Sequence, residues 1–194
     1  MNETQSVNDL LVRIKDRDDM VRSAAWLAAG PAGAAAGKPL AAVATDPASE
    51  LEIARSASRA LWKIVRYAGR PGAAAERKPV AAELLGLLTE AQPVQFRRDV
   101  LWMVSEIGGD ECVDAVAKLL ANRELADDAR CCLQRIPGEK ALAALQAGLA
   151  AASGPLKSAL AESLRARGVA VADVPSQKLV PTKTTQVKPV GRPS

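Results

Sequence analysis

Histidine is absent from the chain, and aromatic residues make up only 3% of it. Without an imidazole the chain cannot build a Ser-His-Asp triad, a Cys-His pair or a zinc site with histidine ligands. The scarcity of aromatic and β-branched residues argues against a β-sandwich or a β-barrel. What the chain has in quantity is alanine, 39 of its 194 residues, together with leucine. This composition predicts an all-α protein, and the length allows one domain with its own core.

Cysteine is also scarce, with only Cys112, Cys131 and Cys132. An odd number with two adjacent residues does not form a disulfide framework, and an all-cysteine zinc site needs four thiolates. We therefore interpret the three as small apolar residues of a protein in a reducing compartment, and we expect a cytoplasmic location. No metal site and no cofactor are expected.

Targeting and membrane signals are missing from the sequence. The N-terminal residues MNETQSVNDL have neither a basic segment nor an apolar one, so no signal peptide is expected. There is no apolar run of about 18 residues or more, so no membrane span is expected either.

The net charge of +4 is concentrated at the C-terminus. From residue 175 onward the chain has four basic residues and no acidic ones, whereas the rest of the chain is neutral. Four prolines and no helical periodicity predict a disordered basic tail. A neutral body argues against nucleic acid as the partner.

The chain repeats itself. Five segments share a pattern in which small residues and a large apolar residue follow one shared position, which in four of them is a basic residue after an apolar one. The shared position is occupied by Arg22, Arg55, Arg97, Asp127 and Lys157. Between these segments lie further helical stretches, and Gly33, Gly108 and Gly168 are predicted to end helices in the left-handed conformation. A helix pair this small cannot bury both apolar faces alone, so the units are predicted to stack.

This pattern resembles HEAT repeats, in particular the short HEAT-like repeats of the phycobilisome-lyase type. The residues that carry the resemblance are Asp18-Asp19-x-Val21-Arg22-x-x-Ala25, then Gly30 and Gly33, then Pro39-Leu40. It covers roughly residues 6–168 and fails in the fourth repeat, where Asp127 replaces the arginine. The resemblance implies an α-solenoid, a right-handed superhelix of about four to five helix pairs. We expect it to span 1–168, with a half-repeat at 1–17 and a disordered tail at 169–194.

The best candidate for a binding site is one face of the helix predicted from Ser49 to Tyr67. Arg55, Arg59, Lys63 and Arg66 fall within an arc of about 80°, and Trp62 lies at its margin. Such a stripe fits an acidic surface, a phosphate backbone or an acidic helix. The alternative is a solvated outer face, with Glu52 paired to a neighbouring cation.

Two other sets of residues have a structural interpretation. The arginines at the repeat position, Arg22, Arg55 and Arg97, are expected to pair with acidic residues of the turns. The three tryptophans, Trp26, Trp62 and Trp102, are out of register with one another, which favours core filling. A tryptophan at an exposed margin would instead anchor an interface.

The functional prediction is a non-catalytic scaffold or adaptor that binds another protein. A solenoid offers an extended concave surface, which we expect the second helix of each pair to line. Two alternatives stay open: an accessory subunit of a phycobilin-lyase-like enzyme, and weak nucleic-acid binding through the basic helix face. Histidine-dependent iron chemistry of the kind seen in deoxyhypusine hydroxylase, another HEAT-like protein, is excluded. We expect a monomer that does not bind membranes.

Overall fold

The computed structural model describes residues 3–176, and within them the chain is all-helical without a β-strand. The predicted all-α class is therefore confirmed. The ten helices are α1 (Glu3–Ile14), α2 (Asp19–Ala28), α3 (Gly37–Thr45), α4 (Leu51–Ala68), α5 (Ala74–Gly86), α6 (Val94–Ile107), α7 (Asp110–Lys118), α8 (Ala126–Arg135), α9 (Glu139–Ala151) and α10 (Gly154–Ala166). Short 3₁₀ turns occur at Gly30–Ala32, Ala34–Ala36 and Leu119–Ala121.

The helices pack in two sets that alternate along the chain. Each even-numbered helix from α2 to α8 contacts the next even-numbered one, and α3, α5, α7 and α9 contact one another in the same order. The two sets also contact each other, and leucines at their junction are almost completely buried: Leu40, Leu61, Leu101, Leu133, Leu145 and Leu160. Burial of these apolar side chains is the main favourable contribution to folding.

Helix α4 has the strongest division between an apolar and a polar face. Ala57, Ala60, Leu61 and Ile64 are buried. Helical periodicity places them together, and they pack against α2, α3, α5 and α6. The face opposite is left to the basic residues.

Several helix ends are stabilised by specific hydrogen bonds. Asp18 is the N-cap of α2, and its carboxylate accepts from the Met20 amide at 2.9 Å. At the end of α10, Gly168 has φ +82°, and the amides of Gly168 and Val169 donate to Arg165 and Leu164 carbonyls at 2.9 and 3.0 Å. This is a Schellman motif, so the predicted left-handed glycine is confirmed there.

Arg167 joins the end of α10 to the end of α8. Its guanidinium donates to three carbonyl oxygens, those of Leu133, Ile136 and Gly138, at 2.7–3.0 Å. The last carbonyls of a helix have no partner within it, and a cation is favoured there by the helix dipole.

Other predicted boundaries are wrong. Gly108 has an extended backbone (φ −66°, ψ 149°) because α7 begins only two residues later, and Gly33 (φ 62°, ψ −157°) joins two 3₁₀ turns without adopting the left-handed helical conformation. Before α4, Asp46 forms a turn in which its carboxylate accepts from the Ala48 amide at 2.9 Å.

The chain stays packed beyond α10. Val174 is buried, and Arg165 donates to the carbonyl oxygens of Val171, at 2.8 Å, and Val174. The packed chain therefore extends past the predicted boundary at residue 168. The part of the predicted tail from residue 177 to 194 lies outside the described residues. In the part that the structure describes, no helix is both long and apolar enough to cross a membrane.

Candidate functional site

The predicted basic stripe lies on the exposed face of α4. Arg55, Arg59, Lys63 and Arg66 are all exposed, and Trp62 is half-buried at their margin. The stripe is solvent-accessible because the opposite face of α4 supplies the apolar contacts to four neighbouring helices.

Part of this stripe forms one wall of an open groove of about 530 Å³. The residues that line the groove are Trp26, Arg59, Trp62, Lys63, Arg66, Tyr67 and Arg70. All but Trp26 follow the helical spacing i, i+3, i+4, i+7, i+8 and i+11, and Trp26 comes from α2, which packs against α4. Four cations and three aromatic rings line the groove, and no acidic residue does. We call it the aromatic–basic groove.

Each aromatic ring in the aromatic–basic groove is in cation–π contact with an arginine. The guanidinium carbon of Arg59 lies 5.8 Å from the centre of the Trp26 ring, and that of Arg66 lies 5.2 Å from the Trp62 ring. Arg70 stacks more closely, at 3.7 Å from Tyr67. Such cation–π contacts hold the guanidinium groups over the rings, with their N–H edges available to other acceptors.

The cations differ in their partners. Arg70 makes two hydrogen bonds of 2.7 Å to Glu76. That pairing lowers the pKa of Glu76 and raises the pKa of Arg70. Among the described residues, Arg59, Lys63 and Arg66 have no carboxylate within ion-pair distance.

Arg55 does not belong to the aromatic–basic groove. It lies one turn before Arg59, and its guanidinium donates to Glu52 at 2.6 Å. Pairing with Glu52 on a solvated helix face was the alternative interpretation of the stripe. Among the four cations of the stripe, the structure shows this pairing for Arg55.

Gly30 determines where one wall of the groove can lie. A Cβ atom at Gly30 would come within 2.8 Å of the Cγ and Cδ2 atoms of Tyr67, closer than real Cβ contacts allow. The 3₁₀ turn that begins at Gly30 therefore packs directly against the Tyr67 ring. The absence of a side chain there lets Tyr67 occupy its place beside Arg70.

The expected pairing of the repeat arginines with turn acids is wrong. Arg22 donates to the backbone carbonyls of Asp16 and Arg17, at 2.8 and 2.7 Å, which supplies donors to the turn that follows α1. Arg97 is buried, with 5% of its surface exposed, and its side chain makes no hydrogen bond or ion pair among the described residues. Asp18, one of the turn acids, is the N-cap of α2.

The preference for core filling by the tryptophans is wrong for Trp102, which is 41% exposed and lies 5.9 Å from the guanidinium of Arg135. Trp26 and Trp62 are half-buried and pack against the edge of the hydrophobic core. Alanine, leucine and valine supply most of the core side chains. All three tryptophans lie on even-numbered helices.

The cysteines are arranged as apolar residues. Cys112 and Cys132 are buried and Cys131 is half-buried, and burial raises the pKa of each of the three thiols. Arg130 donates to the Cys131 sulfur at 2.9 Å. A raised pKa lowers the fraction of thiolate, the nucleophilic form. Within residues 3–176 no group of three or more cysteine, aspartate or glutamate side chains is placed to hold a metal ion.

Of the residues that line the groove, the sequence analysis named Arg59, Trp62, Lys63 and Arg66 together and did not add Trp26, Tyr67 and Arg70 to them. Tyr67 and Arg70 continue the helical spacing of the stripe, so periodicity alone could have included them. Trp26 gave no such signal, because its place in the groove depends on the packing of α2 against α4.

Comparison of the chain with models of known protein families finds no match, and a search of curated protein sequences finds none either. The chemistry of the groove is therefore the basis for a functional assignment.

Proposed function

We propose that this protein is a non-catalytic scaffold or adaptor, built as a HEAT-like α-solenoid, that binds another protein through the aromatic–basic groove. The solenoid assignment rests on two kinds of evidence. The even-numbered helices contact one another in chain order, and so do α3 to α9, which is the packing that stacked helix pairs produce. The repeated segments at Arg22, Arg55 and Arg97 each lie on an even-numbered helix.

The observation that carries the binding function is the composition of the groove. Tryptophan, tyrosine and arginine are the residues that most often dominate the energetics of protein interfaces. Here Trp26, Trp62 and Tyr67 lie together at one surface, in a chain with few aromatic residues, and each has an arginine beside it.

This binding surface differs from the one expected from the repeat pattern. The second helices of the pairs are α3, α5, α7 and α9, whereas the groove lies on α2 and α4. We therefore assign partner binding to the layer of first helices at the N-terminal end of the repeat array.

Binding of single-stranded nucleic acid is the second candidate. Cations interleaved with aromatic rings can also contact phosphates and stack with bases. A test of the two must therefore separate protein from nucleic-acid partners.

The experiment compares three forms of the full-length protein in cross-linking and capture from extract of the native cell. The groove variant carries Arg59→Glu, Lys63→Glu and Arg66→Glu. The matched control carries Lys78→Glu, Arg123→Glu and Lys157→Glu, which change the net charge equally at exposed positions outside the groove. Each sample is analysed with and without nuclease, and circular dichroism checks that each variant is folded.

We expect specific protein partners that are retained by the control, lost by the groove variant and insensitive to nuclease. Equal capture by the two variants would contradict binding through the groove. Partners that disappear after nuclease treatment would favour the nucleic-acid function instead.

A further inference from the structure

Three cations in the aromatic–basic groove lack a counter-charge. Arg59, Lys63 and Arg66 have no ion-pair partner among the described residues, although eight ion pairs form within that part of the chain. In the same groove Arg70 is neutralised by Glu76. A negatively charged ligand would therefore be electrostatically complementary to the wall of the groove that α4 forms.

The spacing of the three cations indicates how that negative charge is distributed. Arg59, Lys63 and Arg66 lie at i, i+4 and i+7, so their Cα atoms extend over about 10 Å of the helix axis. One compact anion contacts only part of such a row. A segment with several separate anionic groups matches it better, since alternate side chains of an extended peptide lie about 7 Å apart.

The tryptophan rings of the aromatic–basic groove indicate a second feature of the ligand. Trp26 and Trp62 are half-buried and offer apolar ring surface beside the cations. Acidic side chains alone would leave this surface exposed to water. A large apolar or aromatic side chain between the acidic ones would cover it, in a groove whose volume is in the usual range for ligand sites.

The residues beyond each end of the row formed by Arg59, Lys63 and Arg66 limit the length of the anionic segment of the ligand. Glu52 lies beyond one end, where it pairs with Arg55, and Glu76 lies beyond the other, where it pairs with Arg70. At either end a long polyanion would therefore meet an ion pair without net charge, whose exposed carboxylate is about half accessible, and no further unpaired cation. This arrangement favours a short acidic segment over a continuous phosphate backbone.

We infer that the aromatic–basic groove binds a short acidic peptide segment of the partner, in which aspartate or glutamate residues flank a large apolar side chain. The carboxylates pair with Arg59, Lys63 and Arg66, and the apolar side chain packs on Trp26 and Trp62. This inference rests on the proposed protein-binding function and specifies the ligand of that same site.

The test measures binding of a synthetic peptide to the full-length protein by fluorescence anisotropy. The probe carries a fluorophore and a central leucine flanked by glutamates on both sides. Two matched peptides replace every glutamate by glutamine, or the leucine by alanine. A labelled oligo(dT) of similar charge is the competing probe. The protein is used as wild type, as the groove variant, as the matched charge control and as Trp62→Ala.

We expect the glutamate peptide to bind the wild type and the charge control equally, and to bind the groove variant at least about tenfold more weakly. The glutamine peptide should bind the wild type more weakly than the glutamate peptide by a similar factor. Added salt should weaken binding of the glutamate peptide, since exposed charges are screened. Trp62→Ala should reduce the difference between the leucine and alanine peptides, which a purely electrostatic surface would not produce.

The inference is overturned if the glutamine peptide binds as well as the glutamate one, if the charge control weakens binding as much as the groove variant, or if oligo(dT) binds more tightly. Absence of peptide binding overturns it too. The capture experiment distinguishes failure of this inference from failure of the proposed function. Loss of native partners in the groove variant, without binding of acidic peptides, leaves the scaffold assignment standing and refutes only the ligand.

Discussion

Substitution of Gly30 by alanine tests the packing that positions one wall of the aromatic–basic groove. The new Cβ would lie 2.8–2.9 Å from the Cγ, Cδ2 and Cβ atoms of Tyr67. Two of these atoms belong to the part of the side chain nearest the backbone, which cannot swing away freely. Relief of the clash therefore requires a shift of the turn or of α4.

The expected size of the effect follows from two opposing contributions. Overpacking of a well-packed site destabilises by roughly 1–3 kcal/mol. Replacement of glycine by alanine restricts the unfolded chain, which stabilises by about 0.4–1 kcal/mol where the backbone is compatible. Gly30 does not have a positive φ, so this second effect applies. We expect Gly30→Ala to lower the free energy of unfolding by about 1–2 kcal/mol and Tm by about 2–8 °C.

The measurement is thermal and urea unfolding followed by far-ultraviolet circular dichroism, with Gly86→Ala as the matched control. Gly86 is the last residue of α5, and a Cβ there meets no atom within 4 Å. That substitution should leave stability unchanged or raise it by up to about 1 kcal/mol. If Gly30→Ala is as stable as the wild type while the control behaves as expected, the close packing of Gly30 against Tyr67 is not present in solution.

Three further predictions concern other contacts. Arg167→Met should lower the free energy of unfolding by about 1.5–3 kcal/mol, because it removes a charged group that donates to three carbonyls, two at the end of α8 and one at the start of α9; urea unfolding that matches the wild type would contradict this. In the native protein a thiol reagent should modify Cys131 first and Cys132 only after unfolding, since burial raises the pKa of Cys132 and covers it, and equal rates would refute the assignment. Glu76 should titrate below the ordinary pKa of glutamate in an NMR titration and return to that value in Arg70→Gln, because the hydrogen bonds from Arg70 favour the carboxylate. The contribution of this pair is complete above the ordinary pKa and is lost as the pH falls through the lowered one, so an unchanged titration in Arg70→Gln would contradict the pairing.

Local sequence was sufficient to predict the helices and the exposed face of α4. Alanine and leucine favour helices, and a spacing of 3.6 residues per turn decides which side chains share a face, so Arg59, Lys63 and Arg66 could be grouped without a structure. These features depend only on neighbours along the chain.

Features that depend on contacts between helices could not be read from the sequence. The partners of Arg22 and the burial of Arg97 are decided by what lies next to them in space, and repeat position alone assigned both to turn acids. Gly108 is extended because of the short step to the next helix, whereas Gly168 is left-handed because the chain turns back onto α10.

The candidate site likewise has one part that local sequence determines and another that depends on contacts between helices. The sequence by itself determined a row of cations with Trp62 at its margin, because one helix carries them all. Only the tertiary structure brought Trp26 from α2 to that row and placed Gly30 against Tyr67. A helix fixes the relative positions of its own side chains through its periodic backbone, but the position of a neighbouring helix results from packing of the whole core.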